Sequence, residues 1–286
     1  MKAGIHLFLS VLCILCTGCA KERAESKRTV TGITGYASNT AGNWSFQYAF
    51  GYDGQQRVTS LAYTGNLYVY GEGHIRAVYT YEVDYSGENP AVTLKIQNAV
   101  IRTDTGDVEY EGLPGEELLP LSFDDQGKVR SIAGRNLWLH TDETTLGYDS
   151  SGRLLKIGED DGIYYKTAVE WGWDNGNLIS QTYQTLGHTG EVSHSIYRQF
   201  RYSDRVNHYS IDLNWLIGDL ALGFQNGLTP LALIGLLGNR SDHLIASTTE
   251  WDGSEAEVGY TLDGNAVSRI TRQALGTSYT FRISYD

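Results

Sequence analysis

The chain has 286 residues and a formal net charge of −12, and 12% of its residues are aromatic. That length gives ample room for one core and is short for two full β domains, so we expect a single domain. The acidic charge disfavours nucleic acid and anionic lipid surfaces as partners. A content of 20 Tyr and 33 Gly against 4 Pro and 1 Met favours sheet and turns over helix.

The first 18 residues predict a processing segment. Lys2 supplies the positive start, and the apolar run from Ile5 to Leu15 is too short to cross a bilayer as a stable helix. Small residues, Thr17 and Gly18, stand directly before Cys19. These residues leave three alternatives, which are a lipoprotein signal, a simple secretory signal and an N-terminal anchor that is never cut.

The arrangement resembles the lipobox of bacterial lipoproteins, with Cys16 where Leu is usual. The resemblance implies cleavage before Cys19 and acylation of its thiol and new amino group, which together hold a protein on a membrane essentially permanently. Cysteine usage favours this alternative, because Cys13, Cys16 and Cys19 are the only cysteines and the body has none for a disulfide.

Residues 19–28 are predicted to be the lipidated cysteine and a flexible polar tether. The segment from Ala20 to Glu25 partly resembles the acidic export tag that sends lipoproteins of gut Bacteroidetes to the cell surface. We therefore expect an outer-membrane lipoprotein, displayed on the cell surface rather than facing the periplasm.

The body, residues 29–286, is predicted to be one antiparallel β domain. Apolar and polar positions alternate in segments such as Tyr279 to Tyr285, as in half-buried strands. A turn is expected at Thr64-Gly65-Asn66, and Glu111 to Pro120 is expected to be a loop. One strand and its turn in every dozen residues predicts an all-β meander of roughly 12 to 16 strands, forming a barrel or a strongly curved sheet.

A short phrase recurs at a constant interval in the middle of the body. It reads Phe123-Asp124-Asp125-Gln126-Gly127, Tyr148-Asp149-Ser150-Ser151-Gly152 and Trp173-Asp174-Asn175-Gly176, and its first aspartates are 25 residues apart. An Asp side chain accepts backbone hydrogen bonds within a tight turn, and Gly takes the left-handed conformation that ends a hairpin loop. We therefore predict hairpin tips with these structural turn residues: Asp124, Gly127, Asp149, Gly152, Asp174 and Gly176.

The phrase from Tyr148 to Arg153 resembles the YD repeat of bacterial Rhs-type proteins, whose repeats wind into β-rich shells. Only three copies are evenly spaced here, and no long tandem array follows. The resemblance implies hairpins and does not extend to an enclosing shell.

One segment, residues 211–238, interrupts the β pattern. Asp212 is a candidate N-cap of a first helix, and Thr229-Pro230 to Gly238 predicts a second short helix. The second helix is apolar all round and must be buried. We expect this insert to act as a plug that closes one end of a barrel or fills the concave side of a curved sheet.

Three features together are similar to a family of uncharacterised gut-bacterial lipoproteins. They are the lipobox at Cys19, the Tyr-Asp turns and the block from Ile211-Asp212-Leu213-Asn214-Trp215 to Gly235-Leu236-Leu237-Gly238-Asn239-Arg240-Ser241. That family is a domain of unknown function with a porin-like fold. The resemblance covers nearly all of the mature chain and implies the fold without an activity.

The sequence contains no motif of a nucleophile elbow, zinc helix, phosphate loop or dinucleotide site. No catalytic residue, metal site or cofactor is therefore predicted. A hydrolase that uses carboxylates from separate strands remains an alternative, because such a site leaves no linear motif.

The aromatic residues offer a candidate binding surface. Trp171 and Trp173 lie two residues apart and so face the same side of one strand. With Tyr148 from the preceding unit, they form a candidate platform for stacking on sugar rings or another flat ligand. The alternative is that this stripe is the inward face of the sheet, packed under the helical insert.

Three hypotheses for the function follow. The first is a non-catalytic, lipid-anchored envelope protein that binds a glycan or another envelope component, and the second is a carboxylate-based hydrolase. The third is a membrane-spanning barrel, which would show an apolar, lipid-facing outer side. Charged residues within the expected strands, such as Arg57, Lys95 and Arg282, argue against the third.

Overall fold

The computed structural model of the chain describes residues 28–40, 42–69, 73–102, 108–112, 114–133, 143–160, 166–187, 191–217, 228–250 and 252–286. The expected signal peptide (residues 1–18), Cys19 and the tether as far as residue 27 lie outside the described residues.

Eighteen strands make up most of the described chain. The first nine are β1 (Val30–Ser38), β2 (Gly42–Tyr52), β3 (Val58–Val69), β4 (Gly73–Asp84), β5 (Ala91–Arg102), β6 (Val108–Gly112), β7 (Gly115–Leu118), β8 (Leu121–Phe123) and β9 (Val129–Ala133). The second nine are β10 (Glu143–Tyr148), β11 (Leu154–Asp160), β12 (Lys166–Asp174), β13 (Asn177–Leu186), β14 (Val192–Val206), β15 (His243–Thr249), β16 (Glu255–Asp263), β17 (Ala266–Ala274) and β18 (Thr277–Tyr285). The expected insert, residues 211–238, contains α1, which is helical over residues 214–217, and α2 (Leu228–Ile234).

Every ladder in the sheet is antiparallel. Consecutive strands pair from β1 to β6 and from β8 to β18, β7 pairs with β5, and β18 also pairs with β1. No ladder among the described residues joins β7 to β8, so the sheet is not closed. The link between them bonds to both neighbours, because the Leu119 N–H donates to the Val92 carbonyl at 2.8 Å and the Ala133 N–H donates to the Pro120 carbonyl at 3.1 Å.

The expected all-β antiparallel fold with a short helical insert is confirmed, with more strands than the roughly 12 to 16 expected. The segment from Glu111 to Pro120, expected to be a loop, holds the end of β6 and all of β7. Pro114 directly precedes β7 and Pro120 directly precedes β8, because proline lacks the N–H that a ladder needs and so marks the breaks between short strands.

The turn expected at Thr64-Gly65-Asn66 is wrong, because these residues lie inside β3. Gly65 pairs with Phe46 of β2, and Gly35 of β1 pairs with the other side of Phe46. A Cβ atom at Gly35 would lie 2.2 Å from the Phe46 ring, and one at Gly65 would lie 2.2 Å from the Tyr63 hydroxyl. Glycine is required here to make room for aromatic rings within the sheet, not to reverse the chain.

The two faces of the sheet differ in polarity. Inward positions are mostly apolar and buried, as in Leu61 and Leu94, whereas described outward positions carry exposed polar side chains such as Gln47 and Arg282 together with exposed apolar ones such as Ile179. A membrane-spanning barrel has the reverse arrangement, with an apolar outer band around its wall. The described outer face is therefore mixed in polarity.

Hairpin turns fall alternately at the two ends of the meander. One end carries the loops at residues 53–57, 124–128, 149–153 and 175–176, the helical insert and the last residue, Asp286. Arg28 also lies there, because it forms a bridge with Tyr209 just before the insert. We call this end the insert end.

Candidate functional site

The Asp-Gly loops at the insert end share one hydrogen-bonding pattern. In the loop between β10 and β11, Asp149 Oδ1 accepts from the backbone N–H groups of Ser151 and Arg153, each at 2.9 Å. Its Oδ2 accepts from Arg153 Nε and Nη2, both at 2.7 Å. Asp124 Oδ1 accepts in the same way from the loop amides two and four residues on, at 2.9 and 2.8 Å. The aspartate therefore satisfies amides that no neighbouring strand reaches.

The glycines of the recurring phrase adopt the left-handed conformation. Gly127 has a φ of 73° and Gly152 a φ of 75°. Asp174 ends the ladder of β12 with β13, and Asn175 and Gly176, with φ of 46° and 78°, form the two-residue turn that follows. Positive φ at both positions is the type I′ geometry that fits the twist of a hairpin.

In two of the three recurring phrases, the aromatic residue before the loop aspartate links its hairpin to the preceding one. The Tyr148 hydroxyl donates to the Val129 carbonyl at 2.8 Å, and Trp173 Nε1 donates to the Leu154 carbonyl at 2.8 Å. Each acceptor is the first strand residue after the previous loop, so the contact repeats from hairpin to hairpin. The Arg153 guanidinium also lies 5.7 Å from the centroid of the Trp173 ring, within cation–π range.

Trp171, the third member of the candidate platform, lies deeper. Its side chain is buried against Trp215 of α1, with ring centroids 5.4 Å apart and an interplanar angle of 72°. The structure therefore places Trp171 under the insert, and Tyr148 and Trp173 at the hairpin ends beside it. These are the contacts of an inward, packed stripe, which was the alternative to an open platform.

A cavity of about 40 Å³ lies next to this stripe. Its walls come from the sheet, the insert and the segment that follows α2, and include Trp171, Trp173, Trp215, Gln181 and Asp212. The cavity therefore has room for a few water-sized molecules.

The segment after α2 crosses the hairpin tips. We call residues 235–242 the strap. The Asn239 N–H donates to the Gly152 carbonyl at 2.7 Å, and the Asp242 N–H donates to the Gly176 carbonyl at 3.1 Å. A Cβ atom at Gly238 would lie 2.7 Å from the Gly152 carbonyl oxygen, so the strap passes as close to the loop as backbone allows. The strap is therefore held against two loops of the repeated phrase, the one that contains Gly152 and the one that contains Gly176.

Asp212 and Asn214 fix the start of the insert. Asp212 Oδ1 accepts from the Asn214 N–H at 3.0 Å, as expected of a helix cap, and from Asn207 Nδ2 at 2.7 Å. The Asn214 amide then binds the edge of β15, donating to the His243 carbonyl at 2.8 Å and accepting from the Ile245 N–H at 2.9 Å. This part of the block that suggested a family resemblance therefore joins the insert to the sheet.

Burial raises the pKa of Asp212 from its ordinary value of 3.8 to about 6. The hydrogen bonds from the Asn214 N–H and the Asn207 amide, and the positive charge of Arg240, act in the opposite direction and only partly offset it. A raised carboxyl pKa beside a cavity is a feature of many catalytic acids, and it is also found in structural networks. The contacts of Asp212 with the Asn214 N–H and the Asn207 amide are those of a structural helix cap.

The carboxylate-based hydrolase needs two carboxyl groups about 5 to 9.5 Å apart. In the described part of the chain, the buried carboxylates are Asp212 and Glu250. Asp212 bonds to Asn214, and Asn214 bonds to Ile245 near the start of β15, so Asp212 lies beside that end of the strand. Glu250 follows the other end of the same strand. The strand between Ile245 and Glu250 spans about 17 Å at about 3.3 Å per residue. These two carboxylates therefore do not form a glycosidase-like pair.

Two further searches of the described residues concern metal sites and membrane-spanning helices. Within the ranges given above, no group of three or more His, Cys, Asp or Glu side chains is placed to hold a metal ion. No helix in that part of the chain is long and apolar enough to cross a membrane.

A buried charged cluster is the feature that the sequence did not reveal. Glu250 forms an ion pair with Arg272 in which the two side chains are 2% and 1% exposed, and Thr248 donates to Glu250 Oε1 at 2.8 Å. Arg198, on β14, is also buried. In the sequence Arg198 and Arg272 stand at inward positions of strands whose apolar and polar residues alternate, and a charged residue at such a position is the signal that marks them.

No family model matches the sequence, and a comparison with curated proteins gives no match. Among solved structures, the chain is similar to a porin-like protein from Bacteroides uniformis, with 14% sequence identity and a TM-score of 0.56, over 90% of this chain and 98% of that one. A porin-like protein from Bacteroides vulgatus also matches, with 14% identity and a TM-score of 0.43, over 91% of this chain and 99% of that one. The likeness to the first of these gives the chain a porin-like fold.

Proposed function

We propose that this protein is a lipid-anchored lipoprotein of the bacterial outer membrane that acts by binding a glycan or another envelope component, without catalysis. Acyl chains on Cys19 hold it to the membrane. The body stands in water on the cell-surface side. Nucleic acid is not a partner, because the chain is acidic.

The observation that carries the proposal is the polarity of the sheet. Its inward face is packed mainly with apolar side chains, and its described outward face carries charged side chains such as Glu82 and Arg282 among scattered apolar ones, which disfavours burial of that face in lipid. Such a body needs a separate means of attachment, and Cys19 at the end of the signal segment supplies one.

The position of the N-terminus gives the proposed body an orientation. The Arg28 N–H donates to the His208 carbonyl at 3.4 Å, and its carbonyl accepts from the Ser210 N–H at 2.9 Å, which fixes the exit of the tether at the insert end. The nine residue steps from Cys19 to Arg28 reach at most about 30 Å. In this proposal the tether leaves the body at the insert end, which is also the end that carries the candidate contacts Tyr148 and Trp173.

Lipid attachment is tested by replacing Cys19. The full chain is expressed in a bacterial host that processes lipoproteins, and incorporation of labelled palmitate and flotation with membranes are measured. Cys19→Ala is expected to abolish both. The matched control Cys13→Ala, a substitution of another cysteine in the same segment, is expected to leave both unchanged. Labelling of Cys19→Ala at the wild-type level would refute the anchor.

Glycan binding is tested on the body that begins at residue 20. The candidate contacts are Trp171, Trp173 and Tyr148, and because Trp171 packs against Trp215, a sugar can stack on it only if the insert moves aside. The glycan version predicts that Trp171→Ala and Trp173→Ala each remove array binding, whereas the exposed outer-face change Tyr197→Ala does not. Absence of binding, or binding indifferent to both tryptophans, would leave an envelope protein as the partner.

A further inference from the structure

The 40 Å³ cavity under the insert has aromatic walls. Five of its lining residues are aromatic and come from β12, β14 and α1: Trp171, Trp173, Phe200, Tyr202 and Trp215. The rings of Trp171 and Trp215 meet at 72° with their centroids 5.4 Å apart, so these two walls stand at a steep angle to each other. The face of an aromatic ring attracts a cation, and several rings set at an angle form the cages that bind organic ammonium groups.

A carboxylate completes these walls. Among the described residues that line the cavity, Asp212 is the one charged side chain, and none is cationic. Asp212 is 8% exposed, and the hydrogen bonds that it accepts from the Asn214 N–H and Asn207 Nδ2 both go to Oδ1. Oδ2 is therefore the oxygen left for a ligand. A buried carboxylate is costly unless a positive charge lies beside it.

The neighbouring guanidinium groups do not neutralise Asp212. Arg240 acts on it through its charge, but Arg240 Nη1 donates to the backbone carbonyls of Tyr209 and Ile211. Arg198 is not among the lining residues, and a buried glutamate, not Asp212, is the acid whose charge acts on it. The pKa of Asp212 stays raised, to about 6, because burial outweighs the charge of Arg240 and the two hydrogen bonds. The carboxylate is therefore short of positive charge.

A second acceptor group comes from Gln181 of β13. It lines the cavity beside Trp171, its partner in the ladder between β12 and β13. Its side chain is 3% exposed, and its Oε1 has no hydrogen-bond partner among the groups that the structure describes. A turn of 180° about the end of the side chain exchanges its oxygen and nitrogen, so the amide can present its oxygen to the cavity. An unpaired buried acceptor is costly, and a donor bound in the cavity would satisfy it.

We infer that this cavity is an internal binding site for a small organic ammonium cation, of which methylammonium is the simplest. The ammonium group would donate to Asp212 Oδ2 and Gln181 Oε1, and the methyl group would lie against the rings of Trp171 and Trp215. The room for a few water-sized molecules suits a cation of this size. This inference does not depend on the proposed function, and its test uses Asp212 and Gln181, which are not candidate glycan contacts.

The test is the thermal unfolding midpoint of the purified full chain at pH 8, in methylammonium chloride and in sodium chloride at equal ionic strength. Asp212 is ionised at this pH, since its pKa is about 6. The sodium ion reports the effect of salt alone. Methylammonium is expected to raise the midpoint by about 5 to 10 °C relative to sodium when its concentration is about 100 times its dissociation constant. Methanol, which is similar in size and uncharged, is expected to give no rise when added to the sodium chloride sample.

Asp212→Asn keeps an oxygen that can cap the helix and removes the charge, so it is expected to abolish the rise in methylammonium. The matched control is Asp242→Asn, because Asp242 is an exposed carboxylate of the strap that does not line the cavity. That variant is expected to keep the full rise. Gln181→Leu, which is similar in size and lacks the amide, is expected to weaken the affinity for methylammonium about tenfold in a titration of the midpoint.

Equal midpoints of the wild-type chain in methylammonium and sodium would overturn the inference. An equal rise with methanol would overturn it as well, since the cavity would then accept a molecule for its size alone. The same holds for an Asp212→Asn variant that responds like Asp242→Asn. If Asp212→Asn does not fold, Gln181→Leu decides the matter, because an unchanged affinity refutes the site and a weakened one supports it.

Discussion

The interior under β1 to β5 and the interior under β12 to β17 are filled in different ways. The first is packed with aromatic and aliphatic side chains from the strands themselves, and Tyr63 stacks on Tyr79 with ring centroids 4.4 Å apart. The second contains the Glu250–Arg272 ion pair, Arg198 and helix α1 of the insert. We call these regions the aromatic side and the charged side.

The difference shows what the insert contributes. On the aromatic side, large rings fill much of the interior, and α2 also packs against β3. On the charged side, the strands carry polar inward residues, and α1 brings apolar volume through Trp215, which packs against Trp171. The stability of the aromatic side should therefore depend on packing, and that of the charged side on charge and pH.

The strongest test of this contrast is removal of the buried carboxylate. Glu250→Gln leaves Arg272 and Arg198 without a buried negative charge, so the free energy of unfolding is expected to fall by about 3 to 5 kcal/mol in urea denaturation. The control Glu255→Gln breaks the ion pair with Arg201, in which the side chains are 44% and 75% exposed, and is expected to cost at most about 1 kcal/mol. Equal losses for the two variants would remove the distinction between the sides.

On the aromatic side the corresponding change is Leu61→Ala. Leu61 is fully buried, so the cavity and the lost apolar contact are expected to cost about 2 to 5 kcal/mol. The control Leu155→Ala, at an exposed position of β11, is expected to cost no more than about 0.5 kcal/mol. The Leu61→Ala loss should be the same at pH 5 and pH 8. A loss that changes between these pH values would show that charge also governs this side.

The pH dependence of stability should come from the charged side through Asp212. Its pKa is raised to about 6 in the folded state, so folding favours the protonated carboxyl. The stability linked to this group is present below its ordinary pKa of 3.8 and is lost as the pH rises through 6, by about 3 kcal/mol at most. Relative to wild type, Asp212→Asn should therefore gain stability between pH 4 and pH 8 in urea denaturation.

Asp53 provides a control of opposite sign in the loop between β2 and β3. The backbone N–H of Arg57 is the main cause that lowers the pKa of Asp53. Its stabilising effect is thus present above the ordinary pKa and is lost as the pH falls through the lowered value. Asp53→Asn should lose stability relative to wild type as the pH rises from acid. A pH profile of Asp212→Asn that parallels this control would contradict the assignment to burial.

The sequence predicts those parts of the fold that depend on local chemistry. Hairpin loops with Asp149 and Gly152 follow from an aspartate that bonds amides two and four residues on and a glycine with positive φ. The insert is predictable because its apolar residues break the two-residue alternation. Gly65 shows the limit, because a glycine that makes room for a ring across the sheet looks the same in sequence as one that turns the chain.

The candidate site depends on pairings that no linear pattern contains. Trp171, Gln181 and Arg198 come together only because the registers of β12, β13 and β14 align them. Glu250, which follows β15, and Arg272 of β17 form their ion pair across the intervening β16. The roles of Tyr148 and Trp173 in linking hairpins could have been anticipated in part, since both precede a loop aspartate in the repeated phrase.

The smallest expected effect concerns how the strap holds the charged side closed. Gly176 and Gly264 both lie in two-residue hairpin turns, with φ of 78° and 59°, so replacement by Ala strains each backbone by about 1 kcal/mol. A Cβ atom at Gly264 meets nothing within 4 Å, whereas one at Gly176 would lie 1.9 Å from Asp242 Oδ2 in the strap. Gly176→Ala should therefore cost about 1 kcal/mol more than Gly264→Ala in urea denaturation.

Adding Asp242→Ala should remove that difference, because the obstruction is the carboxylate and not the strap backbone. If the double variant remains as unstable as Gly176→Ala alone, the backbone of the strap is itself pressed against the turn, and the insert closes this end by direct backbone packing.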